Sequence, residues 1–179
     1  SEALYRRNLE LSRQFGEPRL VAETLDDIGY LENLRGKFQE SLENYYTKMD
    51  QMETYALTPE YSVVFKKFLS QNLQGYRAIR GQITGPVSFG FKVLDENLKP
   101  IIYNEEVKTI LFDFIQKKVN VQYQELKTKN QNAFVWVDEP GLGYVFSGLS
   151  GYNDQQAKED YYQFIQGIEG PKGLHLCAE

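Results

Sequence analysis

The sequence predicts an α/β protein whose C-terminal 130 residues or so are built of βα units, preceded by an all-helical segment. Three observations predict it. Apolar, strand-like runs alternate with helical ones after about Met49, each of three such runs ends in polar residues, and the first 49 residues carry only helical periodicity. The chain has 179 residues with 41% hydrophobic and 25% charged side chains, the make-up of a globular protein. Net charge is −5 and the pI about 5.1. Without a basic stripe, nucleic acid is not an expected partner. No stretch approaches the ~18 apolar residues of a membrane span, so no membrane partner is expected either. One Cys excludes an internal disulfide framework and suits a reducing compartment, which makes the cytoplasm the default location.

Leu4, Leu9 and Leu11 share a helical stripe that Gly16 and Pro18 break. A second helix is expected from about Leu20 to Leu34, with Ala22, Leu25, Ile28, Gly29 and Leu31 inward. A third runs from Lys37 to Met49 with Phe38, Leu42, Tyr45 and Met49 inward. Gly29 permits close helix approach and Gly36 a tight turn. Ala22-x-x-Leu25-x-x-Ile28-Gly29, Gly36-x-Phe38 and Tyr45-Tyr46 resemble tetratricopeptide repeats, as would many helical hairpins. Residues 1–49 therefore read as a helical segment, and residues 1–47 are expected to form helices packed as antiparallel pairs that supply no site residue.

Tyr55 to Leu57 reads as a helix end, with Thr58 an N-cap and Pro59 the first position of a helix carrying Val63, Val64, Phe65, Phe68 and Leu69. The run Gly75 to Ile83 reads as a strand delivering Thr84-Gly85-Pro86. Val87 to Val93 starts a helix, and Asp95-Glu96-Asn97 is a polar turn. Asn104 caps a long helix with Glu105 and Glu106 in its first turn, where the helix dipole favours acids. Its apolar positions are Val107, Ile110, Leu111, Phe114, Ile115, Val119, Val121 and Leu126. Lys127 to Asn132 is a polar loop, and Phe134-Val135-Trp136-Val137 a buried strand ending in Asp138-Glu139-Pro140. Gly141 to Asn153 reads as a glycine-rich loop, Gln155 to Ile168 as a helix and Gly173 to Cys177 as a third strand. This order predicts a parallel sheet.

Candidate site residues lie where the strands end. His175 and Cys177 are two apart on a strand, so both leave one face while Leu174 and Leu176 take the other. Imidazole and thiolate together suit zinc; a buried Cys beside a hydrogen-bonded His accounts for the same spacing. Asp138 shares a face with Phe134 and Trp136, and Glu139 points with Val135 and Val137. Asp138 is a candidate to hold a substrate ammonium group or a residue that merely ends a strand, and Thr84 is a second candidate substrate contact. Trp136 reads as core rather than as a cofactor contact.

Gly81-Gln82-Ile83-Thr84-Gly85-Pro86-Val87-Ser88-Phe89, Pro100-Ile101-Ile102-Tyr103, Val137-Asp138-Glu139-Pro140 and Gly173-Leu174-His175-Leu176-Cys177 together resemble the catalytic half of cobalamin-independent methionine synthase and its shorter relatives. The resemblance runs from about Lys48 to the end. It implies a partial β/α (TIM-type) barrel of the kind shared with uroporphyrinogen decarboxylase over residues 50–179. It implies zinc on His175 and Cys177, with further ligands on later strands, and Asp138 on the amino group of a homocysteine-like thiol. Zinc would hold that thiol as thiolate, which only a few per cent of a free thiol with pKa about 8.5 is at pH 7. His-x-Cys disfavours decarboxylation, which needs no zinc. Ser88-Phe89-Gly90-Phe91 stands where full-length synthases carry a tryptophan motif near folate, which leaves the methyl donor open between folate and a corrinoid protein. A protein-interaction module in residues 1–49 is the reading from another class. The chain starts without Met inside a helical pattern and stops just after a strand-like run, so an incomplete catalytic domain, inactive alone, is expected.

Overall fold

The computed structural model describes residues 45–95 and 97–176. The helical pairs expected before residue 45, with Gly29 and Gly36, and the candidate ligand Cys177 lie outside the described residues. The chain divides into two compact units, Ser1–Met49 with Val93–Pro100, and Asp50–Lys92 with Ile101–Glu179. In the first unit, residues 45–48 are helical. The expected turn closes on an isolated antiparallel bridge between Leu94 and Pro100, where Asp95 Oδ1 accepts from the Asn97 and Lys99 backbone N–H groups at 2.8 and 2.9 Å.

The second unit contains a three-stranded parallel sheet and the helices that serve it. The strands are β1 (Ile79–Thr84), β2 (Ala133–Asp138) and β3 (Lys172–His175), in the order β1-β2-β3. The helices are α1 (Val63–Leu69), α2 (Pro86–Lys92), α3 (Glu105–Lys127), α4 (Pro140–Phe146) and α5 (Asp154–Gly167), with 3-10 turns at Met52–Tyr55 and Ile101–Tyr103. The α/β class expected from the alternation is present, as a small parallel sheet. Among the described residues no helix is long and apolar enough to cross a membrane.

Helix α3 is the main support of the sheet. Asn104 caps it as expected, its side chain accepting from the Val107 N–H at 3.2 Å. Its buried residues, Lys108, Leu111, Phe112, Ile115, Val119, Gln122, Tyr123 and Leu126, recur at three- and four-residue steps. Phe112, Tyr123 and two polar side chains thus hold places not expected from apolarity, while Val107, Ile110, Phe114 and Val121 are only half-buried. Phe114 instead meets the buried Tyr55 ring edge-on at 5.4 Å. Lys108 is admitted to the interior because Glu105 and Asp160 lie 2.7 and 2.9 Å from its ammonium group, which joins α3 to α5.

Against α3 the sheet presents Ile79, Gly81, Ala133, Val135 and Val137, all buried. The alternate residues Arg80, Gln82 and Thr84 are exposed, and Phe134, Trp136 and Asp138 half-buried. The expectation that β2 is buried on both faces is therefore corrected: it alternates, and Trp136 is not core. The Arg80 guanidinium lies 4.6 Å from the Trp136 ring and covers it in place of a packed layer.

Two further expectations are corrected. Thr58 and Pro59 do not start a helix. They form a turn, with Tyr61 N–H donating to Thr58 O at 3.2 Å and the Ser62 hydroxyl to the same oxygen at 2.5 Å, and α1 begins only at Val63. Of its apolar residues only Leu69 is buried. The glycine-rich stretch after Pro140 is not all loop, because α4 occupies it up to Phe146. Gly141 sits inside that helix where a Cβ would lie 3.0 Å from Ser88 of α2, so the glycine is there for close packing rather than for a turn. At Gly170, just before β3, φ is +66° and a Cβ would collide with the Tyr123 ring, so this turn requires glycine.

Candidate functional site

Parallel register sets the C-terminal ends of the strands side by side. Thr84 is the register partner of Asp138, and Asp138 is the partner of His175. The three expected strand-end positions that are described thus meet along one edge, on the face away from α3. Asp138 Oδ1 and His175 Nδ1 are 3.0 Å apart. The Gln82 side-chain amide, two residues before Thr84 on the same face, donates to the other carboxylate oxygen, Oδ2. Trp136 borders the group, its ring edge-on to His175 at 6.1 Å between centroids. The Asp138 side chain is 24% exposed and that of His175 47%, so a solute can reach both.

This arrangement fixes an imidazole. An ionised carboxylate only accepts hydrogen bonds, so the contact assigns the donor N–H of a neutral His175 to Nδ1. Nε2 is then the lone-pair nitrogen, as in carboxylate–histidine–metal sites. Asp138 still has acceptor positions beyond the two in use, enough for a further donor such as an ammonium group. Thr84 is exposed at the rim of the same edge. Among the described residues no group of three His, Cys, Asp or Glu side chains converges. The pair formed by Asp138 and His175 is what the described chain itself brings together.

Two participants were not anticipated as such. Gln82 was legible only as part of a motif, although its exposed position on the strand face of Thr84 places it in line. Glu139 is expected from the strand alternation to point with Val135 and Val137, and it does lie on that side. It is fully buried, and its carboxylate accepts from the Val87 and Ser88 backbone N–H groups at 3.1 and 2.8 Å. Burial pushes its carboxyl up to about 7, against the lowering by those hydrogen bonds.

Compared with protein-family models, curated proteins and solved structures, the chain matches none of them.

Proposed function

We propose that residues 50–179 are part of a methionine synthase-like β/α barrel that transfers a methyl group to a thiol, with zinc at His175 and Cys177. The observation that carries this reading is the Asp138–His175 contact at the C-terminal ends of neighbouring parallel strands, two residues before Cys177. Active sites of β/α barrels lie at that end, and an open sheet face next to it is what the inside wall of a barrel needs. The donor set fits zinc, which accepts imidazole and thiolate together. The ordered motifs at Gly81–Phe89, Val137–Pro140 and Gly173–Cys177 support the same family.

In this reading the chain's own residues divide the work. His175 presents Nε2 because Asp138 holds Nδ1, and Gln82 keeps the Asp138 carboxylate from rotating away. Asp138 accepts the substrate ammonium group with its remaining lone pairs, and Thr84 offers a hydroxyl at the rim. When bound, zinc supplies the charge that keeps the substrate sulfur as thiolate at neutral pH. The methyl donor is folate or a corrinoid protein. Two protein donors are fewer than the three of a working zinc site, so this chain should hold zinc weakly, and further donors complete the site.

Calorimetric titration of zinc into the 179-residue chain tests the assignment. The expected result is one weak site, lost in both His175→Ala and Cys177→Ser and weakened about tenfold in Asp138→Asn, the usual size of an outer-shell effect. Zinc binding unchanged by either ligand substitution would exclude the assignment.

A further inference from the structure

We infer that Glu139 is a positioning residue, which clamps the turn after β1 to the turn after β2 and thereby aims Asp138 at His175. The inference rests on the proposed site only for what the aimed pair does. Its geometry stands on contacts within the chain.

The peptide between Asp138 and Glu139 is held from both sides. Gly85 N–H donates to Asp138 O at 2.8 Å, and Glu139 N–H donates to His175 O at 2.7 Å, so the backbone is tied to the ends of β1 and β3 together. The two side chains then leave in opposite directions. Asp138 goes to the open face and His175, while Glu139 goes under the Gly85 turn, where its carboxylate takes two backbone N–H groups in the first turn of α2. The Ser88 hydroxyl completes the clamp. It accepts from the Gly141 N–H of α4 at 2.8 Å and so ties the same turn of α2 to α4.

A local cap would satisfy the N–H groups of α2 without reaching across. Ser, Thr, Asp and Asn are the residues preferred at the cap position for this. Here glycine stands at that position, and a Cβ on Gly85 would lie 2.4 Å from the Glu139 side-chain carboxyl carbon. The cap is therefore supplied from the neighbouring strand end, at the expense of burying an acid. What a borrowed cap adds over a local one is a fixed distance and twist between the two strand ends, which decide where the Asp138 carboxylate points.

His175 is the single histidine of the chain, so its imidazole nitrogens are an unambiguous probe. Long-range proton–nitrogen correlation spectra of the labelled, metal-free protein, at a pH where the ring is neutral, read its tautomer directly. The wild type is expected to show mainly the Nδ1–H form. In Glu139→Ala the ratio of Nδ1–H to Nε2–H should fall about threefold or more, the size set by losing one net hydrogen bond. Gly85→Ala, which displaces the same carboxylate from the other side, should move it in the same direction, and Glu139→Gln, which keeps the side-chain length and one acceptor, should restore most of it. A residue that only stabilises the fold would lower the melting temperature and leave the tautomer ratio unchanged. Wild-type ratios in folded Glu139→Ala and Gly85→Ala would overturn the inference. Should those variants fail to fold, Glu139→Asp, which shortens the reach of the same carboxylate to the α2 N–H groups, is read in the same way: a partial shift supports the clamp, and no shift overturns it. No metal enters this measurement, so a protein that shows the tautomer effect yet binds no zinc would reject the proposed chemistry while leaving the positioning role standing.

Discussion

Between pH 4.5 and 7 the protein should lose about 3 kcal/mol of stability that a Glu139→Gln variant does not lose. The folded-state carboxyl is raised from 4.5 to about 7, chiefly by burial. A group whose pKa is higher folded than unfolded contributes stability that is complete below the unfolded value and disappears as pH rises to the folded one. Each unit of difference is worth about 1.4 kcal/mol, which sets the expected size. Above pH 7 both states are ionised and the contribution is flat. Asp160 works in the opposite direction at lower pH, because its hydrogen bonds with Tyr152 and Lys108 outweigh burial and hold its carboxyl low. The difference between wild type and Glu139→Gln isolates Glu139 from it. Urea unfolding at pH 4.5 and 7.5 measures the effect, and parallel behaviour of the two proteins would show that the hydrogen bonds from Val87 and Ser88 fully compensate the burial.

Leu126→Ala should destabilise the protein by about 2–5 kcal/mol, since the side chain is fully buried where α3 crosses β1. This crossing is unusually close. A Cβ on Gly81 would lie 2.8 Å from Leu126 Cδ1 and 2.4 Å from the Gln122 amide oxygen. Gly81→Ala alone should therefore cost about 1–3 kcal/mol through overpacking. The two changes touch the same space, so the double variant should be less destabilised than the sum of the singles, because the extra methyl partly fills the cavity. Additive costs in denaturant unfolding would mean that the helix and strand do not share a tightly packed contact at this point.

Much of the frame was legible because it depends on local chemistry. The β-branched and aromatic run at Phe134–Val137, the Asn104 cap with two acids behind it and the polar turn at Asp95 all formed where expected. The parallel sheet followed from alternation of strands and helices. Features set by tertiary contact were not legible. Thr58-Pro59 carries a good helix start, but the Ser62 hydroxyl and Tyr61 N–H close a turn there instead. Gly141 and Gly143 suggested a loop, while α4 needs Gly141 for its approach to Ser88. Trp136 looked like core because no sequence rule says that Arg80 will cover it. Along the sheet edge, the strand-end places of Thr84, Asp138 and His175 were legible from the ends of the apolar runs. The use of Glu139 by another helix, through a contact some 50 residues apart in sequence, left no local mark beyond an acid before a proline.

The most direct test of the proposed chemistry is the absorption spectrum of the cobalt(II)-substituted protein on addition of homocysteine. A thiolate-to-cobalt charge-transfer band from Cys177 is expected, absent in Cys177→Ser, with a second increment when homocysteine is added. In Asp138→Asn that increment should need more thiol, because the ammonium partner is gone, yet reach the same intensity. A spectrum without any thiolate band, or one that homocysteine leaves unchanged, would contradict a thiol-binding metal site at His175 and Cys177.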